Sequence, residues 1–336
     1  MIKLLLIAGL VGALLAVPDA DEGGARVGGG GDPVQPPPHT APYPDLGTGE
    51  TRKERRESFE LGPEMRRGIG PRELLEQRRR LDAALGALAP QRSGTVDAYV
   101  IAIALDSDPV FAREAREAGA VLERRFDARG RTLVLAGPDG ARDDRPQGSI
   151  EALLTALARL AELMDPAEDV LVLYTTSHGL DLGLAYHYGD TGYGVLSPQR
   201  LKAALEELGI ERRIIMLSAC FSGVFVPALA SPDTAIMTAA AANRTSFGCA
   251  AENDWTFYGD ALVNTALREP QGLEAAAAQA TRLVAQWEAD QRLLASLPQT
   301  RIGAAVNQWL PALEARMPQT ATARVGRPAV AEREAE

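Results

Sequence analysis

The sequence predicts an α/β fold: a mostly parallel sheet with helices on both faces. Three observations carry this reading. From Val96 onward, short apolar runs of strand character alternate with amphipathic helical runs, the pattern of a layered α/β domain. The strand candidates are almost continuously apolar instead of alternating, as expected for strands buried on both faces. The composition, 46% hydrophobic and 24% charged over 336 residues, is that of a globular chain able to build one sizeable core.

Met1-Ile2-Lys3 and the apolar run Leu4 to Val17 resemble an export signal, so residues 1–20 are expected to be a signal peptide or anchor, and the protein to be exported. The run is short against the roughly 20 residues of a membrane span. Membrane contact is therefore expected only through this segment, if it stays uncleaved. Residues 21–70 are read as a flexible linker. They hold four consecutive glycines at 28–31, the prolines 36–38 and a charged stretch from Arg52 to Arg56. His39 lies in this Pro-rich stretch and is read as inert.

Pro71 suits a first helical position. Leu74, Leu81, Leu85 and Leu88 then trace one apolar helix face that ends at Pro90. Val96 to Leu105 is a strand closed by Asp106-Ser107-Asp108-Pro109, followed by a helix over about 110–125 and a strand over Thr132 to Leu135. Gly137 to Gly140 forms a turn. Ile150 to Met164 is amphipathic, and Val170 to Tyr174 is a third strand. A helix over Pro198 to Leu208 leads to a fourth strand, Ile214 to Leu217, and Ala235 to Thr238 is a fifth. Helices are expected over about 256–267 and 271–295, with Thr300 to Ala305 as an edge strand. The folded domain is thus expected to span 71–310 and a disordered tail 311–336.

Functional residues of open parallel sheets collect at the carboxyl ends of strands. Two strands end in reactive side chains: Val170 to Ser177 runs into His178-Gly179, and Ile214 to Ala219 runs into Cys220-Phe221-Ser222-Gly223. One crossover helix separates these strands, which makes them neighbours. His178 and Cys220 then face one crevice, a thiol nucleophile beside an imidazole able to take its proton. A short helical stretch from Gly223 to Leu229 adds a dipole favourable to an anion. The backbone N–H groups of Gly179 and Cys220 are candidate oxyanion donors.

The net charge of −10, with no basic cluster interleaved with aromatics, argues against a nucleic-acid partner. Only Cys220 and Cys249 are cysteines, which excludes a disulfide scaffold or a Cys-rich zinc site. His39, His178 and His187 look too few and too scattered for a His-based metal site. His187 is read as a loop residue, Cys249 as a buried free thiol.

At these residues the sequence resembles the legumain family of cysteine peptidases. The shared elements are Ser177-His178-Gly179, Ala219-Cys220-Phe221-Ser222-Gly223, the run Thr238 to Cys249 and Thr256-Phe257-Tyr258-Gly259-Asp260. Residues 178 and 220 lie 42 positions apart, close to the family spacing. Together the four blocks cover roughly 95–267. The resemblance implies a caspase-like three-layer α/β/α sandwich, no metal or organic cofactor, and a protein or peptide substrate. It implies His178 as general base and acid, Cys220 as nucleophile forming a thioester, and positions 218, 246 and 260 as substrate-binding. Ser246 and Asp260 match the family pattern there, whereas Ser218 stands where the family carries Glu. Hydrolysis, transpeptidation by the same thioester, and a non-catalytic envelope binding protein of this fold all remain open at this point.

Overall fold

The computed structural model describes residues 37–137 and 145–331. The expected signal segment, residues 21–36 of the expected linker, most of the turn at 137–140 and the last five residues lie outside the described residues.

In chain order, the elements begin with α1 (Arg52–Glu60), β1 (Glu64–Arg66), α2 (Pro71–Gly86), β2 (Ala98–Ala104), α3 (Pro109–Arg125) and β3 (Thr132–Leu135). Next come α4 (Ile150–Leu163), β4 (Val170–Thr176), β5 (Gly179–Leu180), β6 (Gly183–Tyr188), β7 (Gly192–Leu196), α5 (Pro198–Glu207) and β8 (Arg213–Ser218). The chain continues with α6 (Val226–Leu229), β9 (Thr234–Thr238), α7 (Phe257–Gly259), α8 (Leu273–Asp290), β10 (Gln299–Ile302) and α9 (Val306–Glu314).

The main sheet has the order β10-β9-β8-β4-β2-β3. Its strands are parallel except β10, which pairs antiparallel with β9 at the edge. Alternate residues of each central strand feed opposite cores, because side chains alternate across a pleat. Val100, Val172, Met216 and Met237 pack on one face with Leu122 of α3, Val284 of α8 and Trp309 of α9. Ile101, Leu173, Ile215 and Ile236 pack on the other with Leu85 of α2, Leu157 of α4 and Leu201 of α5. This is the expected three-layer α/β/α sandwich. Leu74, expected on the buried face of α2, is 45% exposed; the buried stripe starts one turn or more later.

A second, four-stranded antiparallel sheet, β1-β7-β6-β5, forms between β4 and α5 with an added strand from the N-terminal side. It corrects two readings. The segment after His178 is not a loop, and His187 sits in β6. The linker expected up to residue 70 is ordered from residue 37 on. Thr51 and Glu54 cap α1 reciprocally, Glu64–Arg66 pairs with the edge of β7, and Tyr43 donates its hydroxyl to Gly194 O at 2.6 Å. Satisfying the exposed edge of β7 is the physical reason for this order.

The expected disordered tail is likewise ordered as far as 331. Here α9 runs to Glu314, Ala329 is buried, and Trp255 Nε1 donates to Val325 O at 2.9 Å. The helix expected over 256–267 is broken into α7, a π-helical turn at Asp260–Thr265 and a 3₁₀ turn at Ala266–Arg268. Among the described residues, no helix is long and apolar enough to cross a membrane.

Candidate active site

Strands β4 and β8 run parallel with Leu171 opposite Arg213 through Thr176 opposite Ser218. Their carboxyl ends therefore finish level, and Ser177 N donates onward to Ser218 O at 3.3 Å. His178 follows one strand end and Cys220 the other. Their backbones touch: a Cβ added at Gly179 would strike the Cys220 carbonyl, at 2.7 Å from its carbon. Only glycine permits that approach.

After Cys220 the chain turns sharply. Phe221 adopts φ 56°, ψ 10°, a left-handed conformation that costs a bulky residue on the order of 1–2 kcal/mol. Two bonds hold it, Phe221 N to Arg244 O at 2.7 Å and Gly223 N to Ala240 O at 2.9 Å. The Cys220 N–H has no acceptor among the described residues. The helical stretch expected over Gly223 to Leu229 resolves into a 3₁₀ turn at Ser222–Phe225 and the single turn of α6.

The thiol rests against Ser246. Ser246 N donates to Cys220 Sγ at 3.2 Å, and Sγ lies 3.5 Å from Ser246 O and 3.6 Å from its Oγ. The imidazole of His178, 36% exposed, has other neighbours. Its Nε2 lies 3.6 Å from Asp108 Oδ2, Phe111 meets the ring edge-on at 5.0 Å, and Cys249 lies within interaction range. Among the described residues no hydrogen bond joins the imidazole to the Cys220 thiol. The structure therefore brings the two strand ends together without bonding the two side chains.

Carboxylates govern the electrostatics. Burial alone would favour neutral His178, but Asp108, then Cys249 and Asp106, outweigh it and raise its pKa well above the ordinary imidazole value. At neutral pH the imidazolium is favoured. Asp108 is lowered: burial opposes this, and the close approach of His178 with the charges of His39, His178 and His187 prevails. Asp106, fully buried, is pushed up to about 6 by burial despite His178 and His39. Burial, with His39 beside it, pushes His187 down to about 4.

The three expected substrate-binding residues divide. Ser246 lies at the thiol. Ser218 is buried and shares a hydrogen bond with Thr256 Oγ1 at 3.0 Å; Thr256 in turn donates from N and Oγ1 to Glu114 Oε2 at 2.9 and 2.8 Å. Tyr174 completes this chain, donating to Glu114 Oε1 at 2.6 Å. Asp260 has no solvent exposure and accepts from Asn264 Nδ2, Arg324 and the Ala329 N–H at 2.8, 2.9 and 2.9 Å. In this structure it anchors the C-terminal segment, and its carboxylate is turned to these donors and away from solvent.

Sequence reading missed Asp106 and Asp108, taken as strand-end punctuation. It also missed that all three histidines converge on them, which corrects the reading of the histidines as scattered. The signal was present in Asp106-Ser107-Asp108-Pro109: two carboxylates at the carboxyl end of a strand neighbouring the one that carries His178.

Residues 152–308, which include β4, β8, His178 and Cys220, match the model of the Peptidase C13 family, the legumain family. The match supports a cysteine peptidase of legumain type, and with it protein or peptide substrates. The crystal structure of caspase-1 from Spodoptera frugiperda is similar at a TM-score of 0.42 and 16% identity, over 64% of this chain and 88% of that one. A search of curated proteins returned no match.

Proposed function

We propose that this chain is an exported cysteine peptidase in which Cys220 is the nucleophile and His178 the general acid and base. The observation that carries the reading is the level ending of β4 and β8, with Gly179 wedged against the Cys220 backbone. In the reaction, the Cys220 thiol gives its proton to solvent, the thiolate pairs with the His178 imidazolium, and Sγ attacks the peptide carbonyl. The tetrahedral oxyanion takes the unpaired Cys220 N–H, with the Gly179 N–H as second donor. His178 then protonates the leaving amine, and the acyl group stays on sulfur as a thioester. Water, deprotonated by His178, releases the acid and restores the thiol. Asp108 orients the imidazole and stabilises its charged form. The imidazole has to swing from Asp108 toward Sγ when substrate binds, a tightening often seen between resting and occupied sites.

Iodoacetamide labelling at neutral pH, mapped by peptide mass spectrometry, tests the assignment. Cys220 is expected to label faster than a free model thiol, and His178→Ala to remove that advantage. A Cys220 rate equal to the model thiol and indifferent to His178→Ala would overturn it.

A further inference from the structure

His39 reaches the sheet from the segment before α1, His187 projects from β6, and Asp106 stands just past the end of β2. His39 Nε2 lies 3.5 Å from Asp106 Oδ1 and His187 Nδ1 lies 4.0 Å from Asp106 Oδ2. The two imidazoles stack with centroids 3.5 Å apart and planes 13° off parallel. Ligand atoms of all three residues fall within 4.8 Å of one another. Two ligands on one tetrahedral ion, each bonded at about 2.0–2.1 Å, stand roughly 3.4 Å apart. The spacing is thus within a small side-chain adjustment of a shared ion.

Protein hydrogen bonds account for only part of the group: His39 Nε2 bonds Ser107 Oγ at 2.9 Å and Asp106 Oδ1 accepts from Asp108 N at 2.8 Å. Asp106 is buried, yet its Oδ2 accepts no hydrogen bond among the described residues, and His187 Nε2 is buried without a partner too. At 4.0 Å the His187–Asp106 separation is too long for a hydrogen bond. A buried carboxylate oxygen with no donor, beside an imidazole too distant to bond it, is an unfavourable arrangement that a cation resolves.

We propose that His39, Asp106 and His187 form a binding site for a divalent transition metal of the zinc class, independent of the peptidase reading. Two imidazoles and a carboxylate are a donor set suited to zinc and its neighbours, not to calcium or magnesium. Each imidazole lone pair lies in its ring plane, so the stacked rings splay to share one ion. His39 is the ring that turns, carried on a strap anchored on both sides. Ser107 Oγ donates to Pro37 O at 3.1 Å, and Thr40 N and Ala41 N donate to Asp190 Oδ1 at 2.9 and 2.8 Å. A bound ion clips this strap to the end of β2, close to Asp108 and hence to His178.

The test titrates the full-length chain with Zn²⁺ against a chromophoric chelator, then with Co²⁺ read by visible absorption. One equivalent is expected to bind, with Co²⁺ giving the d–d bands of a four- or five-coordinate N/O site and no thiolate charge-transfer band. His39→Gln, His187→Gln and Asp106→Asn are each expected to weaken zinc binding at least about a hundredfold, since loss of even supporting groups costs 10–100-fold. Circular dichroism of each variant separates lost ligation from lost folding. Cys220→Ser is expected to bind as the parent does. No stoichiometric binding, unchanged affinity in the folded His39→Gln and His187→Gln variants, or loss of binding in Cys220→Ser would each overturn the site.

Discussion

Replacing Gly179 by alanine puts a methyl group into backbone, with no solvent to receive it. The added carbon would overlap the Cys220 carbonyl oxygen and lie 2.7 Å from the carbonyl carbon and 3.0 Å from the amide nitrogen. Carbon contacts settle at about 3.5–4.0 Å, so relief needs a displacement on the order of 1 Å. Strands β4 and β8 are locked in six paired positions, whereas the turn at Phe221 is already strained, so the turn carrying Cys220 is the part that yields. The stability cost of such overpacking is about 1–3 kcal/mol, a fall of about 2–4 °C in melting temperature for each kcal/mol in a domain of this size. The loss of reactivity is expected to be larger, because a 1 Å misplacement at a reacting centre costs on the order of a hundredfold. Gly86→Ala is the control: a methyl there meets nothing within 4 Å, and alanine near the end of α2 is expected to be neutral or to stabilise by up to about 1 kcal/mol. Melting curves and the iodoacetamide labelling rate of Cys220 read both variants. A Gly179→Ala protein that melts and labels within experimental error of the parent would refute the packing described between the two strand ends.

Two further substitutions probe the buried polar framework behind the site. Glu114→Ala leaves Tyr174 Oη and both Thr256 donors without their acceptor; at about 1–3 kcal/mol for each buried group left unsatisfied, a loss of about 3 kcal/mol or more is expected in urea unfolding. Glu114→Gln, which keeps one acceptor oxygen, is expected to lose about half as much, and a loss below about 1 kcal/mol for alanine would refute the network's role. Asp260→Ala removes the acceptor of Asn264, Arg324 and Ala329 N, so the expected outcome is lower stability and faster proteolysis within residues 318–331. Unchanged stability with an altered peptide-cleavage profile would instead return Asp260 to the substrate pocket.

The central strands were legible because burial on both faces leaves little alternative composition: Ala98–Ala104 and Val170–Thr176 are buried throughout. The small sheet was not. Its strands, Gly183–Tyr188 and Gly192–Leu196, carry glycines at their starts and within β7, and a turn at Gly189-Asp190-Thr191, which locally reads as loop. Strand identity there comes from pairing across the hairpin and with Glu64–Arg66, and pairing partners more than a hundred residues away leave no periodic mark. Long-range partners also explain Asp260, whose acceptors' donors Arg324 and Ala329 lie 64 and 69 positions on. A motif that matches at residue 260 says nothing of those distant groups.

The site shows the same division between what a motif fixes and what surroundings decide. His178 and Cys220 were legible because each terminates an apolar strand, and parallel register alone makes those ends coincide. Their state was not, because it depends on Asp106 and Asp108 at the end of a different strand. Two carboxylates beside one partly exposed imidazole favour its charged form, so the resting histidine is poised as an acid more than as a base. An imidazole that is already protonated cannot take the thiol's proton, so the thiol gives it to solvent and the imidazolium serves by stabilising the thiolate once Sγ comes within reach. The carboxylates therefore strengthen the proton affinity of His178 while drawing the ring away from Cys220. Substrate binding has to overcome that second effect to use the first.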